Sequence, residues 1–404
     1  MATSTMTAVA NVLKRVYGKG VSTQQNLKHR ATDEFAKSMK KYNAGGAGFY
    51  GGIRDAGNES GGAINETEQF RTADSESYLQ YVVTPKILVA PVEFSGLLSQ
   101  AANSDEETFA AAVIDLVETT RERLLKDYNR QFYGIGTGLM ASPTGATASN
   151  VTSFTVDSAQ YLRKNMVIDI FNGATKTVDS IRIDDVDKAA NIVYFATSIG
   201  AAINATSQIV KENIKDSAAT DGKEIMGLKG IIDDGTDLTT FENISAATNR
   251  IWRGIRISAG STNLTSDLLQ RLLDDVSVLG GEMPDTLITH KKQRRKYLDL
   301  VVPQKRFQDE KMDSGFQKLS FNGVELWLDD DCQSDTVYAI TKKLIEKYEV
   351  APLAMGNYDG SDQFLRTSNY DVFQAYWRMY SNFGTEKRNA HGKIVSLTAP
   401  TGIS

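Results

Sequence analysis

The chain has 404 residues, 41% of them hydrophobic and 24% charged, with a formal net charge of −5. That length can bury a sizeable core spread over two or three units. No apolar run approaches the ~18 residues of a membrane span, and the N-terminus has no signal-peptide apolar region. The single cysteine, Cys332, excludes an internal disulfide and suits a cytosolic origin, so triplets such as Asn150-Val151-Thr152 are not expected to carry glycans.

Charge is unevenly placed. Residues 1–41 hold Lys14, Arg15, Lys19, Lys28, Arg30, Lys37, Lys40 and Lys41 against Asp33 and Glu34, a net +6 that leaves −11 on the remainder. A basic arm on an acidic body either rests on an acidic surface, its own or a neighbour's, or is a solvated tail. Within it Met6, Val9, Ala10, Leu13, Val16 and Tyr17 form a helical stripe ending at Gly18 and Gly20, too short to be stable without a surface to pack on.

From Ala44 to Gly62 glycine becomes dense. Gly46-x-Gly48-x-x-Gly51 matches a dinucleotide-binding pattern literally, but no apolar strand precedes it and no helix follows, so an extended loop is the better reading. Residues 63–96 carry strand formers (Tyr78, Tyr81, Val82, Val83, Ile87, Leu88, Val89, Val92, Phe94), with Pro85 and Pro91 confining them to edges or bends. A loop this long has little use in a compact monomer and a clear one in an assembly.

Residues 104–133 read as one long helix. Ser104 and Glu107 form a capping box, and Asp105, Glu106 and Glu107 suit the positive end of the dipole. Phe109, Val113, Leu116, Val117, Leu124, Tyr128 and Phe132 make an apolar stripe, opposite Glu118, Arg121, Glu122, Arg123 and Lys126. Gly134 is the expected C-cap. Leu116 and Val117, mid-stripe, are expected to pack on the terminal strands around Phe373–Tyr380, so that Leu116→Asp would cost several kcal/mol.

Residues 150–212 alternate short strands (151–156, 166–171, 177–184, 192–195, 208–211) with turns at Asn172-Gly173 and Asp187–Asn191, a small all-β insertion. Beyond Asp221 the texture is mixed. Leu268, Leu269, Leu272, Leu273, Val276 and Leu279 mark a helix capped by Thr265 or Ser266 and closed by Gly280-Gly281. Strands are expected at 286–289, 324–328, 336–340, 370–383 and 393–397, with a helix over 291–301.

No catalytic constellation emerges. His29, His290 and His391 stand in unrelated contexts, and neither nucleophile elbow nor phosphate loop occurs. Asp329-Asp330-Asp331 and Asp184-Asp185-x-Asp187 lack the glycine and distal glutamate of a calcium loop and read as solvated turns. His290-Lys291-Lys292-Gln293-Arg294-Arg295-Lys296 reads as the wet face of a helix rather than a phosphate grip.

This order of arm, extended loop, long capped helix ending at Tyr133-Gly134-Ile135-Gly136-Thr137-Gly138, α/β region containing Pro284-Asp285-Thr286-Leu287-Ile288-Thr289, and terminal strands resembles the major capsid protein of tailed bacteriophages, the Hong Kong ninety-seven fold. The resemblance implies an α+β fold with an N-arm (1–43), an extended E-loop (44–96), and a peripheral domain (97–149, 213–258 and 371–404) holding the spine helix. It further implies an axial domain (259–370), with 150–212 an inserted accessory domain. It implies a non-enzymatic subunit, assembling with itself as hexamers and pentamers into an icosahedral shell around double-stranded DNA bound without sequence specificity. Portal, scaffolding and decoration proteins would be its partners, and the virion its location after assembly in the host bacterial cytoplasm. It implies no membrane partner, no cofactor and no catalytic, cofactor-binding or metal residue. Nothing here resembles the cleavable scaffolding segment of some members, and the Lys–Asn crosslink of others has no evident positions. The acidic body suits a container that must not cling to its DNA. An encapsulin-like compartment subunit is the alternative on the same fold, and a nucleotide-binding enzyme built on Gly46–Gly51 is the alternative of another class.

Overall fold

The computed structural model describes residues 28, 31–32, 41–42, 48–95, 106–215, 222–305, 319–356, 365–366 and 370–400. The arm helix expected over residues 6–17, Ser104 of the capping box, and His29 lie outside them.

The spine is a 26-residue helix, Glu106–Gln131, about 39 Å long at ~1.5 Å per residue. Leu124, Tyr128 and Phe132 of its stripe are buried, the last two with ring centroids 5.7 and 4.8 Å from that of Phe383. Three expectations need correction. Leu116 is 40% exposed. Contact with the terminal strand instead runs through the backbone next door, where Trp377 Nε1 donates to the Val117 carbonyl at 3.1 Å. A carboxylate at position 116 would therefore meet solvent and cost the single chain about half a kcal/mol or less. Lys126, placed by periodicity on the wet face, is buried. The helix also ends without a left-handed cap at Gly134: Tyr133 and Gly134 N–H close tight turns on Arg130 and Gln131 carbonyls at 3.0 and 2.8 Å. Positive φ arrives later, at Gly136 (80°) and Gly138 (79°).

The spine lies on a sheet centred on the long strand Val372–Thr385, which pairs antiparallel with Ile345–Met355 and with Lys86–Ser95. Lys41–Tyr42 adds a parallel pair on Lys347–Tyr348. Residues 86–95 thus belong to this sheet and not to the extended loop expected to reach 96. Pro91, opposite Tyr376, is tolerated because, among the described residues, the strand pairs on one side only.

A second, six-stranded sheet runs Ile255–Thr262, Gly392–Leu397, Val337–Ile340, Thr286–Thr289, Val324–Leu328, Ser320–Phe321. Against it packs the helix Ser266–Gly280, capped as expected by Thr265 Oγ1 accepting the Leu268 N–H at 3.2 Å and closed by Gly281 at φ 67°. Leu269, Leu272, Leu273 and Val276 share one core with Ile257, Leu287, Val337 and Ile394. The terminal segment expected to return whole to the peripheral part, 371–404, therefore divides. Its strand Val372–Thr385 lies in the first sheet and Gly392–Leu397 in the second, while Ile345–Met355, expected with 259–370, lies in the first. Strand partners are chosen by contacts far apart in sequence, which local periodicity does not encode.

A third sheet of six strands, Leu139–Ala141, Ser207–Lys211, Val167–Asn172, Thr175–Asp187, Ile192–Ile199 and Val151–Thr155 in spatial order, has its own core of Phe154, Ile168, Ile170, Ile183, Val193, Phe195 and Ile209. It begins at Leu139, ahead of the expected boundary at 150, because that strand covers Ser207–Lys211.

Polar ties hold the parts together. The fully buried Arg388 donates to the carbonyls of Ile231, Trp252 and Gly230 at 2.7, 3.2 and 2.9 Å. Lys393 Nζ reaches Asp233 and Asp237, each at 2.9 Å. Between the first and second sheets His391 is fully buried. Its Nδ1 accepts the Thr341 N–H and its Nε2 meets Thr385 Oγ1, both at 3.3 Å. Since Thr385 Oγ1 donates to the Leu344 carbonyl, the ring is the neutral Nε2–H tautomer, and burial pulls its pKa down to about 3. The unfolded chain, with an ordinary histidine near 6.5, binds the extra proton. The contribution is therefore complete above about pH 6.5 and lost as pH falls toward 3, about 3 kcal/mol between pH 7 and pH 4. Urea unfolding at the two pH values should show His391→Gln losing about 3 kcal/mol less than wild type on acidification; an equal loss would contradict a neutral buried ring.

Candidate assembly interface

The polar end of the spine is the first element of the site. Asp329 and Asp331, read from sequence as a solvated turn, are buried. Asn129 Nδ2 donates to Asp329 Oδ1 at 3.2 Å and to Asp331 Oδ2 at 2.6 Å, and Lys126 Nζ donates to Asp331 Oδ2 at 2.7 Å. Two arm residues join: the Ala31 N–H donates to Asp329 Oδ2 at 3.0 Å and the Thr32 N–H to Asn129 Oδ1 at 3.1 Å. Burial raises the Asp331 carboxyl against the pull of Lys126. At these residues, then, the arm rests on its own body. The β module docks on the same loop, Gln160 Nε2 donating to the Cys332 carbonyl at 2.9 Å and Tyr161 Oη to that of Asp331 at 2.7 Å. Asp127, Arg130 and Lys211 form an adjoining ion-pair cluster, in which Arg130 and Lys211 outweigh burial and hold Asp127 well below the ordinary carboxylate range.

Other sequence-marked residues are dispersed. Asp184, Asp185 and Asp187 are exposed along one strand edge, with Asp187 Oδ1 accepting the turn N–H groups of Ala189 and Ala190 at 2.8 and 3.0 Å. His290 is buried, accepts the Lys292 N–H on Nδ1 at 3.1 Å, and is lowered to about 4 by burial. The cluster 291–296 opens the helix Lys291–Lys305 but is half-buried apart from a buried Gln293, so it is not the wet face expected. The Cys332 thiol is buried and raised by burial. Among the described residues no three or more His, Cys, Asp or Glu side chains are placed to hold a metal ion, and no described helix is long and apolar enough to cross a membrane. Gly46 lies outside the described residues. Gly51 sits in a strand where a Cβ would fall 2.2 Å from the Tyr81 ring, a close approach that only glycine permits. Sequence reading missed Asn129, Arg130 and Gln131. Asn129 and Arg130, three and four residues on from Lys126, continue its helix face, and that spacing was the available signal.

The second element is a hairpin. Phe49–Ala56 pairs antiparallel with Ser77–Val83, Phe49 opposite Val83 and Tyr50 opposite Val82. Its base is tied down. The Phe49 and Tyr348 rings are 5.0 Å apart, the Val82 N–H donates to the Glu242 carbonyl at 3.0 Å, and the Tyr81 hydroxyl donates to Glu386 Oε1 at 3.3 Å. Its tip is not. Residues 61–78 are exposed throughout, Phe70 at 83%, and among the described residues their hydrogen bonds stay within the hairpin. With ~3.3 Å per residue, eight strand residues and half the intervening segment reach up to roughly 60 Å. Further apolar side chains stand exposed at the end of the helix Ser266–Gly280, where Val278 is 81% and Leu279 64% exposed, and on the sheet at Ile87, 67%. Patches of this kind mark contact surfaces. Among the described Lys and Arg sites, trypsin should cut the free subunit first after Arg71 in the exposed tip, read by mass spectrometry of the first fragments; cleavage at another described site with Arg71 intact would contradict an open tip.

No family model matches the sequence and no curated protein matches it. The fold is similar to solved capsid structures. The chain aligns with a chain of the cyanophage A-1(L) capsid asymmetric unit at TM-score 0.63 and 11% identity, covering 98% of this chain and 99% of that one. A chain from Microbacterium phage Oxtober96 aligns at TM-score 0.50 and 10% identity, covering 98% and 99%. A looser likeness, TM-score 0.46 at 8% identity over 98% and 96%, is to the encapsulin of Synechococcus elongatus, and nothing rests on it. The chain has the α+β Hong Kong ninety-seven capsid fold.

Proposed function

We propose that this chain is the major capsid protein of a tailed bacteriophage, a structural subunit without enzymatic activity. Copies assemble as hexamers and pentamers into an icosahedral shell around double-stranded DNA. The observation that carries the reading is the hairpin, anchored at its base and exposed over residues 61–78, on a fold similar over 98% of the chain to a phage capsid subunit. A segment that buries so little in its own chain is stabilised only by a neighbour. The exposed Val278, Leu279 and Ile87 supply further contact surface of the same kind. In this reading residues 1–43 are the arm, 44–85 the E-loop and 139–211 an accessory module. Portal, scaffolding and decoration proteins are the partners of the shell, which forms in the host bacterial cytoplasm and persists in the virion. The net −11 beyond residue 41 keeps the lining from binding DNA tightly or by sequence.

The contents of purified particles test this. Particles from the natural host should hold double-stranded DNA protected from nuclease. Particles containing a protein cargo and no DNA would replace the phage reading with the encapsulin-like one.

A further inference from the structure

A cavity of about 590 Å³ opens between the β module and the start of the helix Lys291–Lys305. Lys126 and Lys291 on its wall are neutralised by Asp331 and Asp330. Arg163, Lys164, Lys188 and Lys292 are not: none forms an ion pair among the described residues, and Asp185 is the remaining described acid on the wall. Burial, then Arg163 and Lys126 nearby, lower the Lys188 ammonium below the ordinary lysine value against the pull of Asp331. Among the described residues, no acid of the same chain pairs with these four cations, and the wall suits an anion.

The same chain carries a matching anion elsewhere. Residues 57–76 hold Glu59, Glu66, Glu68, Asp74 and Glu76 against Arg71, around the exposed Phe70. Resting on the capsid reading above, we infer that the acidic hairpin tip of one subunit seats in the basic cleft of a second copy, bridging that copy's β module and helix at once. Glu66, Glu68 and Asp74 face the cluster of Arg163, Lys188 and Lys292, and Phe70 lies against the Arg163 guanidinium. The charges choose the register and speed the encounter, while Phe70 supplies buried area. Salt should weaken the contact, since the pairs form near the surface. A free phosphate or the DNA backbone satisfies the cations equally well. The tip is favoured because it is an exposed segment of opposite charge carrying five acids against one arginine, and it is present at one copy per cleft.

Carbodiimide coupling of shells assembled from mixed light- and nitrogen-15-labelled subunits reads the contact directly. Amide-linked peptides joining 57–76 to Lys164, Lys188 or Lys292 should appear as light–heavy pairs. The double variant Arg163→Glu/Lys188→Glu should lower the association constant for shell assembly about tenfold, the equivalent of 1.4 kcal/mol. Glu66→Lys/Glu68→Lys should do the same, mixing the two in one chain should restore assembly, and each should keep the wild-type circular dichroism melt. Full assembly of both charge-reversed variants, or cleft lysines coupled elsewhere, overturns the docking while leaving the capsid reading intact. Lysine protection that vanishes when particles are emptied of DNA also overturns it, in favour of phosphate. Failure of the wild-type chain to form shells at all refutes the capsid reading instead.

Discussion

Replacing residues 57–76 with an Asn-Gly turn should leave the subunit's stability within about half a kcal/mol of wild type and lower shell assembly at least about tenfold, or 1.4 kcal/mol per contact. Ala56 and Ser77 are opposite one another at the strand ends, and a two-residue Asn-Gly turn closes such a pair with the twist the strands need. The removed segment is exposed and holds no side chain of the three cores, so the folded chain loses little. An assembly loses the contact for which the segment exists. Chemical denaturation of the free subunit beside sedimentation of the assembled fraction separates the two effects. A variant that assembles like wild type would show the tip to be dispensable, and a variant that unfolds would show that it belongs to the subunit's own core.

Lys126→Ala should cost about 3–5 kcal/mol, the typical loss when one partner of a buried ion pair is removed. Lys126 Nζ is held at 2.7 Å both by Asp331 Oδ2 and by the carbonyl of Lys28. Truncation therefore leaves a buried carboxylate with Asn129 as its side-chain partner and removes the hydrogen bond to the Lys28 carbonyl. Against a domain stability of ~5–15 kcal/mol that loss is large. Lys126→Ala with Asp331→Asn should recover part of it, since no charge is then stranded. Urea denaturation of the two variants checks both claims. A Lys126→Ala midpoint equal to wild type would return this residue to the solvent, where helical periodicity alone would place it.

Lys126 and Leu116 show where sequence reading stops. An apolar stripe says which face of a helix is buried only if the whole helix meets one surface. Here Leu116, near the middle of the helix, is exposed, while the last two turns bury Lys126, Asn129, Arg130 and Gln131 along with the stripe. The helix Ser266–Gly280 was legible to its caps, because Thr265, the leucine spacing and Gly281 act within a few residues. Some strands were legible in the same way, as at Val324–Leu328, while Ile255–Thr262 and Ile345–Met355 were not expected. Strand partnership was not legible. That Gly392–Leu397 enters between Ile255–Thr262 and Val337–Ile340 is a choice among several apolar segments settled by packing between stretches far apart in the chain. The hairpin was readable as a long loop with no monomeric use, whereas the burial of Asp329 and Asp331 required knowing that the spine passes beside them. Three consecutive aspartates carry no local sign of a lysine two hundred residues away.

Electron cryo-microscopy of particles assembled from the full chain tests the central claim most directly. A reconstruction should show a closed icosahedral shell of hexamers and pentamers, with residues 57–76 of each subunit lying on an adjacent copy. A chain that stays monomeric under all assembly conditions, or particles in which that hairpin touches no other subunit, would contradict it.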